Sequence, residues 1–159
     1  MVTGYGYQGT VDEVVVWTDS DHAGCGETRK STSGGVVMLG GHLMKAWSKQ
    51  QAVVARSSGE AEYYALVKGG SEGLGIKGIM KDMGYEVGIE MRTDASAAIG
   101  IVNRRGLGKV KHIELNTLWM QNQVYRGVFK IRGDWWSPFW LKRWTVRLGS
   151  RACCVKHLA

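Results

Sequence analysis

The chain has 159 residues, 44% hydrophobic and 22% charged, which suits one globular domain that buries its core without staples. No apolar run approaches the roughly 18 residues of a membrane span, the N-terminal MVTGYGYQGT lacks a secretory pattern, and Cys25, Cys153 and Cys154 show neither metal-ligand nor disulfide spacing, so an intracellular protein with no membrane partner is expected. The formal charge of +7 invites a nucleic-acid partner, yet residues 135–159 contribute +5 of it and leave only +2 for the rest.

Residues 1–13 read as an N-terminal extension. Val14–Asp19 (VVVWTD) is short, β-branched and bounded by polar residues, and predicts a buried strand. A polar, glycine-rich loop follows, DSDHAGCGETRKSTSGG. Val36–Leu39 and Leu43–Ser48 predict a hairpin around GGH, then a turn over Lys49–Gln51 and a little extended chain at Val53–Ala55. Ser57 or Ser58 can cap a helix over about Gly59–Met83, with acids in its first turn. Gly69, Gly70, Gly73, Gly75 and Gly78 each cost that helix about 1 kcal/mol relative to alanine. It must therefore be held by packing, against a closely approaching sheet.

The helix has an inward stripe of Leu66, Gly70, Gly73, Ile76, Met80 and Met83. One turn back along it lies Glu62, whereas Glu60 points about 200° away. Ile89–Thr93 predicts the next strand, and Asp94 opens a short helix, Ala95–Asn103. A basic loop Arg104–Lys111, a helix from about Ile113 to Tyr125 and a last strand near Val128–Arg132 complete the body. This order specifies an α/β domain with a mixed sheet over residues 14–133. Residues 134–159 hold four of the seven Trp, the only Pro and a single acid, without clean periodicity, and read as an irregular tail.

Two strands end in the same phrase, Trp17-Thr18-Asp19-Ser20 and Arg92-Thr93-Asp94-Ala95. Ligands of α/β sheets collect beyond the carboxyl ends of strands. If these strands are parallel neighbours, as a helical crossover implies, Asp19 and Asp94 meet at that edge and Glu62 can join them. Three converging carboxylates repel unless a cation is bound. Hard oxygen ligands select Mg²⁺ or Mn²⁺, and two-metal phosphodiester chemistry is the natural task. Each acid also has a plainer reading: Asp94 as a helix N-cap, Asp19 as a turn residue, Glu62 as a first-turn acid favoured by the helix dipole. Arg104, Arg105, Lys109 and Lys111 can track a phosphate backbone or form a solvated basic loop. His112 has no partner at metal-ligand spacing. Spacing alone leaves these alternatives open.

Six motifs in order narrow the choice: Thr18–Gly24 (TDSDHAG), Arg29–Gly34 (RKSTSG), Ala46–Gln51 (AWSKQQ), Ser57–Ala65 (SSGEAEYYA), Thr93–Ile99 (TDASAAI) and Lys111–Glu114 (KHIE). Together, over roughly residues 14–132, they closely resemble the ribonuclease H domain of copia-type retrotransposon Pol polyproteins. The resemblance implies a ribonuclease H-like fold, a mixed five-stranded sheet with flanking helices. It also implies metal-dependent cleavage of the RNA strand of RNA–DNA hybrids during reverse transcription, with two Mg²⁺ or Mn²⁺ ions in an intact site. Asp19, Glu62 and Asp94 match the first three catalytic, metal-binding acids. Arg29, Lys30, Ser31, Thr32 and Ser33 match the loop that approaches the hybrid backbone, where hydroxyls and backbone N–H groups donate to phosphate; the same segment can also simply build the turn into the hairpin. A reverse transcriptase domain upstream and a cytoplasmic retrotransposon particle are further expectations of the resemblance.

One departure matters. After the last strand the family continues with a helix resembling Asn-Pro-Ala-Asp-x-Leu-Thr-Lys, whose Asp is the fourth ligand. This chain reads Gly133-Asp134-Trp135-Trp136-Ser137-Pro138, with Phe139 close to the place of that Asp. Asp134 stands several positions too early. The expectation is a lost fourth ligand, a tail resembling translation in a shifted frame, and impaired cleavage. A non-catalytic RNA- or hybrid-binding module, or the product of a degenerate element, is the alternative.

Overall fold

The computed structural model describes residues 4–104 and 118–133. In chain order these form β1 (Glu13–Ser20), β2 (Thr32–Leu39), β3 (His42–Gln50), α1 (Ser58–Asp82), β4 (Gly88–Thr93), α2 (Ser96–Val102), α3 (Trp119–Tyr125) and β5 (Phe129–Gly133). The sheet has five strands in the order β3-β2-β1-β4-β5. β1 pairs antiparallel with β2 and parallel with β4, β2 pairs antiparallel with β3, and β4 pairs parallel with β5. The mixed α/β sheet expected from the element order is therefore present, and β1 and β4 are parallel neighbours.

Why α1 tolerates so many glycines is now plain. A β-carbon on Gly69 would sit 2.4 Å from Thr18 Cγ2, one on Gly73 3.0 Å from Val16 Cγ2, and one on Gly70 3.0 Å from Met120 Sδ. Gly69 and Gly73 let the helix backbone lie directly on β1 and β4, and Gly70 lets it approach α3 and β5. Beneath it the core gathers Val14, Val16, Val37, Tyr63, Leu66, Ile89, Met91, Met120 and Phe129. The stripe is shorter than expected. Met83 is the C-cap residue and is exposed, and Ile76 is only partly buried.

Ser57 is the N-cap of α1, its hydroxyl accepting from Glu60 N–H. Glu60, expected to face away from the core, is buried instead. Its carboxylate accepts from Arg56 N–H at 2.9 Å and from the Tyr64 hydroxyl at 3.1 Å, a variant of the capping box in which the donor is the residue before the N-cap. Asp94 does not cap α2. That helix starts at Ser96 behind Ala95, with no side-chain cap, and Ala95 N–H is taken by Thr93 Oγ1.

Strand β2 begins four residues before the expected Val36, because Gly34 and Gly35 are strand residues. A β-carbon on Gly35 would meet the Trp47 ring at 2.3 Å and Trp17 O at 2.6 Å, so glycine makes room for the indole across the strand pair. β3 likewise runs through Lys49 and Gln50, which were expected in a turn, and Val53–Ala55 forms no strand. Residues of the N-terminal segment strap the hairpin tip. Gln8 Nε2 donates to Leu39 O, Gly41 N–H donates to Gln8 Oε1, and the Tyr5 hydroxyl donates to Leu43 O.

On the sheet Glu90 is buried, holding Arg92 at 2.5 Å and Arg132 at 3.0 Å, with the Arg92 guanidinium over Trp17. Cys25, for which spacing offered no pairing signal, is buried and disulfide-bonded. No helix among the described residues is long and apolar enough to cross a membrane.

Candidate metal centre

Three elements deliver the acids. Asp19 lies near the end of β1, Asp94 directly follows β4, and Glu62 sits one turn into α1 on its sheet-facing side. One carboxylate oxygen from each lies within 4.8 Å of the others. Asp19 and Glu62 are buried and Asp94 is the most exposed of the three, so the group opens to solvent on the Asp94 side. Parallel pairing of β1 with β4 sets the two aspartates at one sheet edge, and the close seat of α1 on that sheet brings Glu62 down to them.

Electrostatics at this point oppose three bare charges. Burial, then Asp19, then Asp94 push the Glu62 carboxyl up to about 8, against the lowering effect of Ser20 N–H, which donates to Glu62 Oε1 at 3.2 Å. The other oxygen, Glu62 Oε2, is buried with no hydrogen-bond partner among the described residues. A buried acceptor without a donor, beside two more carboxylates, fits a hard divalent cation coordinated by oxygen.

The expected nucleic-acid residues divide into three groups. Arg29 is exposed, in the left-handed backbone region at φ 54°, and Lys30 is half-buried beside it. Ser31, Thr32 and Ser33 are buried, and their polar groups are used within the chain. Ser31 Oγ accepts from Ala23 N–H, Thr32 N–H donates to Asp21 Oδ1, and Ser33 Oγ accepts from Gln51 Nε2. Arg104 is partly exposed at the end of α2, its Nε donating to Gly100 O. Arg105, Lys109, Lys111 and His112 lie outside the described residues, as do Asp134 and the tail. Two contributors escaped sequence reading: Ser20, which anchors Glu62, and Asp21, which pins the loop after β1. For Asp21 the signal was an acid just past a strand end before a glycine turn.

No family model matches the chain. Two solved structures cover nearly all of it. One is an RNase H1 isolated from compost, with TM-score 0.54 and 15% identity over 93% of this chain and 99% of that one. The other is the N-terminal RNase H domain of a Mycobacterium tuberculosis protein, with TM-score 0.56 and 18% identity over 90% and 99%. The fold is the ribonuclease H fold.

Curated relatives narrow this further. The retrovirus-related Pol polyprotein of transposon RE2 from Arabidopsis thaliana is 30% identical over 118 residues, 72% of this chain and 8% of the relative. That of transposon TNT 1-94 from Nicotiana tabacum is 31% identical over 110 residues, 68% of this chain and 8% of the relative. The chain is thus a homologue of copia-type retrotransposon Pol polyproteins, with a ribonuclease H fold, and it spans 8% of the length of those relatives.

Proposed function

We propose that the described body is a divalent-metal-dependent nuclease that cleaves the RNA strand of RNA–DNA hybrids. The observation that carries this reading is the convergence of Asp19, Glu62 and Asp94 within 4.8 Å, with a buried unpartnered oxygen on Glu62. Similarity to retrovirus-related Pol polyproteins agrees with the motif resemblance, which implies this substrate class.

Asp19 and Asp94 present carboxylate oxygens at the sheet edge, and Glu62 adds its own from α1. A divalent cation bound there would neutralise charge on the scissile phosphate and lower the cost of forming the attacking and leaving oxyanions. The exposed Arg29 and the partly exposed Lys30 and Arg104 supply cations toward the polynucleotide backbone, with Arg105, Lys109 and Lys111 assigned to the same role from sequence. Because Ser31, Thr32 and Ser33 are engaged internally, they contribute by shaping the loop that carries Arg29 and Lys30.

The tail lacks the expected fourth acid, so cleavage is proposed to be far below that of an intact site, while hybrid binding persists. The experiment is gel-resolved cleavage of a labelled hybrid in Mg²⁺ and in Mn²⁺. Slow cleavage, abolished by Asp19→Asn and raised when residues 134–159 are replaced by an ending with Ala-Asp-x-Leu-Thr-Lys, is the expected result. Fast Mg²⁺-dependent cleavage lost in Asp134→Asn would make Asp134 the fourth ligand. No cleavage even with the replaced ending, alongside retained hybrid binding, would favour a binding module.

A further inference from the structure

Gln51 ends the Ala46–Gln51 motif and takes no direct part in the acidic cluster, yet its hydrogen bonds run to the elements that carry it. Its backbone N–H donates to Ser31 O at 2.8 Å. Its Nε2 donates to Ser33 Oγ at 2.8 Å and to Ala61 O at 2.8 Å. Ser33 is paired across the sheet with Ser20. Ser20 N–H donates to Glu62 Oε1, and Glu62 follows Ala61 in α1. These links close a ring through Ser20, Ser33, Gln51, Ala61 and Glu62, in which the Gln51 amide joins β2 to the first turns of α1.

The choice of glutamine here needs a reason beyond filling space. Gln51 is 8% exposed, and its Oε1 is buried with no partner among the described residues. An apolar side chain of similar size would avoid that desolvation cost. What it would lack is an NH₂ group with two directed donors, and both donors are used, one on each side of the gap between strand and helix.

We propose that Gln51 is a positioning residue for Glu62, holding α1 against β2 so that the Glu62 carboxylate meets Asp19 and Asp94. The proposal rests on the reading of those three acids as a divalent-cation site. A staple that merely ties β3 to β2 would affect stability alone, whereas a positioning residue acts on Glu62 itself.

The test uses the full chain with Gln51→Met, which keeps length and volume and removes both donors. Ser33→Ala, which removes one acceptor only, is judged by Ser20 exchange and Mn²⁺ affinity alone if the first variant fails to fold. Two quantities are read: exchange of the Ser20 amide, whose acceptor is Glu62, in metal-free protein by NMR, and Mn²⁺ affinity by calorimetry. The expected result is a loss of Ser20 protection of about tenfold relative to the Val16 amide. With it should come a drop in Mn²⁺ affinity of about tenfold, the lower range for an outer-shell ligand contact, at unchanged hybrid affinity in EDTA. Ser20 exchange and Mn²⁺ affinity both within about twofold of wild type would overturn the proposal and leave Gln51 a staple. Failure of wild type to bind Mn²⁺ would sink the cation-site reading instead, and the Ser20 amide would still decide whether Gln51 positions Glu62.

Discussion

The Glu62 carboxyl, pushed up to about 8 by burial with Asp19 and Asp94 close by, keeps its proton at neutral pH in the folded chain, whereas in the unfolded chain it ionises near 4.5. Between those values the unfolded state has released a proton that the folded state retains. The metal-free protein therefore loses stability as pH rises from about 5 to about 8, with a limiting slope of about 1.4 kcal/mol per pH unit for one group. Urea denaturation across that range should give this falling profile in wild type and a flatter one in Glu62→Gln, with the variant the more stable at pH 8. A wild-type profile no steeper than that of Glu62→Gln would mean that the carboxyl is not held as described. At this scale the three acids were legible because strand ends and a helix stripe have simple geometry. Glu60 was misplaced because its facing was judged from helical angle alone, although Ser57-Ser58-Gly59-Glu60 spells a capping box. The burial of Ser31, Thr32 and Ser33 was not legible, since it depends on β3 and on Gln51 reaching back across the sheet.

Among elements, α1 separates two kinds of glycine that look alike in sequence. Gly69, Gly70 and Gly73 face other elements at distances a β-carbon cannot share freely, while Gly75 and Gly78 have nothing within 4 Å. Alanine at Gly75 or Gly78 should raise stability by about 0.5–1 kcal/mol each through helix propensity. Alanine at Gly69, against Thr18, Val16 and Met91, should cost about 1–3 kcal/mol by overpacking. It should also reduce divalent-cation affinity, because the helix that lifts off β1 carries Glu62. Thermal midpoints of the three variants decide this, and a stabilising Gly69→Ala would contradict the close seat of α1. The requirement for a near sheet was readable from the glycine count, but which glycines meet it was not. Strand limits were missed for a related reason: Gly34 and Gly35 resemble loop until Trp47 is seen to lie across them, and Lys49 and Gln50 resemble a turn until their antiparallel partners are known.

For the molecule as a whole, charge and fold make separate contributions. The sheet order brings the acids together, while affinity for a polynucleotide rests on cations that neutralise phosphates and release counterions. Replacing Arg29, Lys30, Arg104, Arg105, Lys109 and Lys111 by alanine should flatten the slope of log affinity against log salt for a hybrid. Each lost phosphate contact should change it by about one unit. An unchanged slope would move the binding to the basic residues of the tail. The α/β class and the order of elements were legible over the whole body, because hydrophobic period and turn residues agree there. The tail, with Trp, Arg and Cys but no period, offered no such agreement. Whether Asp19, Glu62 and Asp94 form one divalent-cation site is read from the thermal midpoint with and without Mn²⁺ in wild type, Asp19→Asn and Glu62→Gln, since a ligand of the native state stabilises by mass action. A clear upward shift is expected in wild type and should be largely lost in both variants; equal shifts in all three proteins would contradict a shared cation site.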